Sequence, residues 1–134
     1  MSEKIALEIV TPERLVLRAE VDEVTVPGQL GEFGILPGHT PLISLMSPGV
    51  LRYLQGGREE RLIVWGGIAD AREDKVKIIT IGAENPQDID REKARGELER
   101  VMERLKAFSG SDEEFKQLDV MRKLAELRAG VVSL

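Results

Sequence analysis

The chain has 134 residues, a formal net charge of −5, 42% hydrophobic and 4% aromatic residues, and no cysteine. This is one ordinary domain, or a small domain with an appendage, whose core aliphatic side chains must fill. The composition excludes a disulfide scaffold, a Cys-based zinc site and a thiol nucleophile, an electrostatic grip on nucleic acid, which needs a basic face, and a bilayer span, which needs about 20 apolar residues.

The first ten residues, MSEKIALEIV, carry neither a signal-peptide core nor an arginine-rich transit pattern, so a soluble protein with any membrane role exercised through partners is expected. Ile5, Leu7 and Ile9 alternate with Ala6 and Glu8, the period of a half-buried strand. Thr11-Pro12-Glu13-Arg14 turns the chain into a strand beginning at Leu15–Leu17, and Val24 and Val26 flank Thr25 in the next. The segment Pro27–Pro41, PGQLGEFGILPGHTP, follows. It holds four glycines and three prolines in fifteen residues, yet Leu30, Phe33, Ile35, Leu36 and Leu42 run through and just past it. A disordered linker would not carry this much apolar surface, so an ordered bend between strands is expected. The same segment holds the only histidine, His39.

Further strands are expected at Leu42–Met46, Val50–Leu54, Leu62–Trp65, Ile68–Arg72 and Val76–Thr80. They are separated by Ser47-Pro48-Gly49, Gln55-Gly56-Gly57, Gly66-Gly67 and Glu73-Asp74. Strands at this spacing with turn signals read as an antiparallel sandwich or barrel. Near Asn85 the composition changes: 21 of the last 50 residues are Asp, Glu, Lys or Arg. Asn85 or Asp88 is expected to cap a helix, with Pro86 in its first turn. Ala94, Leu98, Val101, Met102, Leu105 and Phe108 form one apolar stripe at three- and four-residue spacing. Glu92, Arg95, Glu97, Glu99 and Arg100 are expected to pair along its solvent side. Ser109-Gly110 interrupts the pattern. Ser111 with Glu114 is a capping-box signature for a second helix, whose stripe is Phe115, Leu118, Met121, Leu124 and Leu127, with Gly130 as C-cap. The expected fold class is therefore α+β: residues 1–84 an antiparallel β domain, sandwich or barrel, and residues 85–134 an antiparallel two-helix hairpin. A two-helix core is small, so the hairpin must lean on the β domain or on another protein.

Catalytic machinery is not legible. One histidine cannot supply a zinc site, and no G-x-S-x-G elbow accompanies His39. Gly28, Gly31 and Gly34 give G-x-x-G-x-x-G rather than a dinucleotide fingerprint, and Gly38-His39-Thr40 stands where a phosphate loop would have Gly-Lys-Ser/Thr. Asp112-Glu113-Glu114 is the acidic first turn that a helix dipole favours. Neither a metal nor a cofactor is expected. A small enzyme or nucleotide-binding protein using the glycine-rich loop is the alternative these residues leave open.

Val26-Pro27-Gly28, Gly31-Glu32-Phe33-Gly34-Ile35-Leu36-Pro37-Gly38-His39-Thr40-Pro41-Leu42, Pro48-Gly49-Val50-Leu51-Arg52, Gly66-Gly67-Ile68 and Val76–Thr80, followed by two charged helices, closely resemble the epsilon subunits of F-type ATP synthases. The resemblance spans essentially the whole chain; Asp70-Ala71 departs conservatively from the family's usual Glu-Val. It implies a ten-stranded sandwich with a helical hairpin, in a non-catalytic rotor subunit of the central stalk. The partners it implies are the gamma subunit, the polar loops of the membrane c-ring and, through the hairpin, the catalytic alpha and beta subunits. The location implied is peripheral, on the cytoplasmic face of a bacterial cell membrane, with a plastid thylakoid as the alternative. Gly31, Glu32 and Phe33 match positions facing the c-ring loops, and His39 matches one near the rotor interface. Arg122, Lys123 and Arg128 match basic residues that an extended arm sets against an acidic segment of the beta subunit. Some family members also bind ATP through Ile/Leu-Asp-x-x-Arg-Ala. Here the run is Ile89-Asp90-Arg91-Glu92-Lys93-Ala94, in which Lys93 lacks the planar fork that suits phosphate. Glu84 and Arg128 align with further ATP-binding positions, but Leu124 stands where a second helical arginine would be, so ATP binding is expected to be weak at best.

Overall fold

In the computed structural model, residues 4–131 are described, and they divide into two compact units between Glu84 and Asn85. The first unit is a β-sandwich. Its strands are β1 (Ile5–Val10), β2 (Leu15–Val21), β3 (Glu23–Gly28), β4 (Gly31–Ile35), β5 (Leu42–Gln55), β6 (Arg58–Arg72), β7 (Lys75–Ile79) and β8 (Ala83–Glu84). Hydrogen-bonded neighbours run β2-β1-β7-β6-β5-β3-β4, with β8 on β6. Every pair is antiparallel except β1 with β7, which is parallel. The alternating residues of β1 and β7 point Ile5, Leu7, Ile9, Val76 and Ile78 into the same apolar core as Val24, Val26, Ile35, Leu51, Leu62 and Val64.

The eight segments marked by strand spacing become six because two separators bend strands rather than ending them, and β4 and β8 bring the described strands to eight, close to the ten that the resemblance implies. Leu42–Met46 and Val50–Leu54 are the two halves of β5, and Leu62–Trp65 and Ile68–Arg72 lie within β6. Pairing runs from Met46↔Gly67 to Pro48↔Trp65, passing over Ser47 and Gly66. Pro48 has no N–H to give a ladder, and Gly66 and Gly67 take φ of +83° and +118°. A Cβ on Gly67 would lie 1.9 Å from the Ile79 carbonyl oxygen, so only glycine fits.

The glycine-rich segment is also more than a bend. Gly31–Ile35 is an edge strand, joined to β3 by a tight turn at Gln29-Leu30. Pro27 pairs with Glu32 on one side, while the β3–β5 register shifts between Thr25 and Gly28. The missing proline N–H accounts for the interruption.

The second unit opens with a 3₁₀ turn at Pro86–Asp88, where Asn85 Oδ1 accepts the Gln87 N–H at 3.0 Å. Asn85 is thus spent on this turn, and Ile89 is extended (φ −94°, ψ 125°). Helix α1 (Arg91–Lys106) consequently starts later than expected, capped not by Asn85 or Asp88 but by Asp90, whose Oδ1 accepts the Lys93 N–H at 3.1 Å. Helix α2 (Asp112–Val131) has the expected capping box: Ser111 Oγ accepts the Glu114 N–H at 3.2 Å, and Glu114 Oε1 accepts the Ser111 N–H at 3.2 Å. Gly130 lies inside α2 rather than capping it. The buried positions are Ala94 and Val101 on α1 and Leu118, Ala125 and Val131 on α2, mostly small residues. Of the expected stripes, Met102, Phe115 and Met121 remain exposed, with Phe115 and Phe108 rings 5.7 Å apart.

Candidate functional site

The tip of the β3–β4 hairpin is built by glycine at both flanks. Gly31 has φ +128°, and a Cβ on Gly28 would meet the Phe33 ring at 2.9 Å. Between them Leu30 stands fully in solvent. Along β4 the side chains alternate. Glu32 is exposed, whereas Phe33 packs against the core and supports the hairpin from beneath. Glu32 already has a partner in this chain: Arg52 Nη2 donates to its Oε1 at 2.7 Å, with Glu59 3.6 Å from the same guanidinium.

His39 stands in the turn beyond the other end of β4. Its N–H donates to the Leu36 carbonyl at 3.1 Å, and its Nδ1 donates to the Thr40 carbonyl at 2.7 Å. A carbonyl can only accept, so in this contact a proton sits on Nδ1. Glu32 and His39 are therefore held separately, at opposite ends of one short strand.

A second feature was not singled out in the sequence. Leu45, Ile68 and Ile79 are direct cross-strand neighbours on β5, β6 and β7, and they are 56%, 37% and 43% exposed. Ile43, two residues along, extends the row. The core-facing residues of these strands are Met46, Ala69 and Ile78, so the row lies on the outer face of the sheet. Its signal was present as the run Leu42-Ile43-Ser44-Leu45-Met46, apolar on both faces of a strand.

In the helical unit Arg122 is held on its own helix, donating to Asp119 Oδ1 and Glu126 Oε1, both at 2.8 Å. The Arg122 hydrogen bond holds the Asp119 carboxyl below its ordinary value, opposed by a small desolvation cost. Lys123 is exposed. Arg128 Nη1 reaches across to Glu97 Oε2 on α1 at 3.4 Å. Glu97 was expected to serve Arg100 along the solvent side, but the Arg100 guanidinium lies back over Gly96. Glu97, Arg100, Arg104, Met121, Leu124 and Arg128 line an open groove of about 380 Å³ between the helices. Arg100 and Arg104 are basic residues of this groove that the motif reading missed.

The residues matched to ATP binding have structural duties. Asp90 is the α1 cap, Lys93 is exposed with its N–H on that cap, and Ile89 closes the 3₁₀ turn through its N–H on the Pro86 carbonyl. Glu84 belongs to the first unit, where its Oε2 accepts the Trp65 indole N–H at 2.6 Å. Among the described residues no group of three or more His, Cys, Asp or Glu side chains is placed to hold a metal ion, and no helix is long and apolar enough to cross a membrane.

Fold and surface together define a β-sandwich with an appended helical hairpin, carrying an exposed apolar row. Residues 4–86 match the family model described as ATP synthase, Delta/Epsilon chain, beta-sandwich domain. The ATP synthase epsilon chain of Myxococcus xanthus is 42% identical over 128 residues, covering 94% of both chains. That of Carboxydothermus hydrogenoformans is 46% identical over 105 residues, 78% of both. The chain belongs to the delta/epsilon family of non-catalytic ATP synthase subunits, and its relatives are epsilon chains. A chain of the Euglena gracilis mitochondrial ATP synthase, solved with OSCP, F1 and c-ring, shares the fold with a TM-score of 0.87 at 24% identity, covering 98% of this chain and 83% of that one. A chain from the central stalk and c-ring of the Tetrahymena thermophila mitochondrial enzyme shares it at 0.65 and 12% identity, covering 98% of each.

Proposed function

We propose that this protein is a rotor subunit of the ATP synthase central stalk. It joins gamma to the c-ring so that proton flow drives ATP synthesis, on the cytoplasmic face of a bacterial membrane. The observation that carries this reading is the exposed row Leu45–Ile68–Ile79 on a β-sandwich of this family. Three large aliphatic side chains aligned across three strands are surface that a partner protein should cover. We assign this face to gamma. The β3–β4 hairpin, with Glu32 and Leu30, is assigned to the c-ring loops, where the carboxylate sets orientation more than affinity.

The hairpin is the regulatory arm. Its buried residues are few and small, so its closed form is held by little apolar area, and an extended form reaching the catalytic subunits can lie close in free energy. Lys123 is the basic residue best presented for such a contact, because Arg122 and Arg128 must first give up their carboxylates.

Titration of the intact chain into a gamma-containing ATPase head tests the reading. Saturable binding is expected, weakened at least tenfold by Ile68→Glu with no loss of the folded sandwich. Unchanged binding by that variant would remove the assigned face.

A further inference from the structure

Resting on the rotor reading above and on the resemblance that sets His39 near the rotor interface, we infer that Asp74 is a positioning residue that fixes the loop carrying His39 for that contact. Within that loop the other bonds are local: the His39 N–H goes to Leu36 and its imidazole to Thr40. The long-range tie is the Gly38 N–H, which donates to Asp74 Oδ1 at 2.7 Å across 36 residues of sequence. An ionised acceptor makes this a strong bond as backbone bonds go.

Asp74 can make it only because of where it stands. Glu73 and Asp74 form the two-residue turn between β6 and β7 and have φ of +51° and +58°. Hairpin turns of this kind are normally built from Asn-Gly or Gly-Gly, because side chains are strained at positive φ. A glycine at position 74 would relieve that strain but would leave Gly38 without its acceptor. The turn is itself anchored, since the Asp74 carbonyl accepts the Ala6 N–H from β1 at 2.9 Å. The carboxylate is thus presented from the sheet, and the loop is hung on it. Gly38 completes the fit through its own φ of +81°, with open space around any Cβ placed there.

Two opposed effects on the isolated protein separate positioning from simple stabilisation. In Asp74→Gly the turn relaxes and the tie is lost. The thermal midpoint should stay level or rise, while amide exchange at Gly38 accelerates at least tenfold. Asp74→Asn keeps an acceptor oxygen without the charge and should fall between. A Gly38 amide still protected in Asp74→Gly overturns the proposal. So does a lowered midpoint with exchange accelerated throughout the sandwich, which would make Asp74 merely structural. The reconstituted complex then separates this proposal from the reading beneath it. Asp74→Gly and His39→Ala are both expected to lower proton pumping per ATP hydrolysed. If His39→Ala does so and Asp74→Gly does not, the positioning role is wrong; if neither does, the rotor assignment of the loop falls.

Discussion

At the scale of single residues, Glu32 has two potential duties, and they separate cleanly. Its bond to Arg52 is an exposed ion pair, worth no more than about 1 kcal/mol. Glu32→Lys sets a second cation against Arg52 and should lower the thermal midpoint only slightly, while weakening attachment to the c-ring. Combining Glu32→Arg with Arg52→Glu re-forms the pair with its sign exchanged, although the nearby Glu59 keeps the recovery of stability incomplete. If Glu32 acts on the c-ring, this double variant folds well but still pumps poorly in the reconstituted complex. Recovery of pumping together with stability would reduce Glu32 to a strut for Arg52. The sequence marked Glu32 by its motif, but it could not reveal Arg52 as its partner. That pairing depends on β3 bringing β4 and β5 into one sheet.

At the scale of elements, the start of α1 governs how an ATP experiment must be read. Asp90 caps the helix, and losing a cap costs about 1 kcal/mol. Asp90→Ala therefore frays α1 whether or not nucleotide binds, whereas Asp90→Ser preserves the cap. Calorimetric titration of the intact chain with ATP is expected to give no saturable heat, because Lys93 lacks the guanidinium fork and Leu124 brings no charge to the groove. A saturable heat lost in both variants would identify Asp90 as a ligand and overturn this expectation. Element boundaries illustrate what sequence conceals. Ser111 and Glu114 declared the start of α2 because a capping box is local chemistry. Asn85 does cap a helix with Pro86 in its first turn, but a 3₁₀ one, because a cap residue does not say which kind of helix it caps. Ser47-Pro48-Gly49 and Gly66-Gly67 look like turns one strand at a time. Only when the two strands lie side by side does the shared bend become visible.

At the scale of the whole molecule, the division between Glu84 and Asn85 falls where the last strand bond has just been made. A chain ending at Glu84 keeps β8 on β6 and the Trp65 indole on the Glu84 carboxylate. It should unfold cooperatively, still bind a gamma-containing head, and raise that head's ATP hydrolysis severalfold over the intact chain by removing the arm. A molten fragment would make the hairpin part of the sandwich core, and unchanged hydrolysis would deny it a regulatory role. The sandwich was legible from strand spacing and alternation, because half-buried strands write their burial into every second residue. The outer row at Leu45, Ile68 and Ile79 was harder to read: three residues far apart in sequence become a surface only through register.

The parallel pairing of β1 with β7 also bears on the order in which the molecule forms. In synthesis β1 precedes its neighbour β7 by some 70 positions, as the pairing of Ala6 with Lys75 requires. Until β7 arrives, β1 has only β2 beside it, and an isolated two-stranded ribbon is marginal in water. Such distant pairings close slowly. The nascent sandwich therefore spends most of its synthesis with Leu7 and Ile9 uncovered, whereas the hairpin, whose contacts are local, can assemble almost as it emerges.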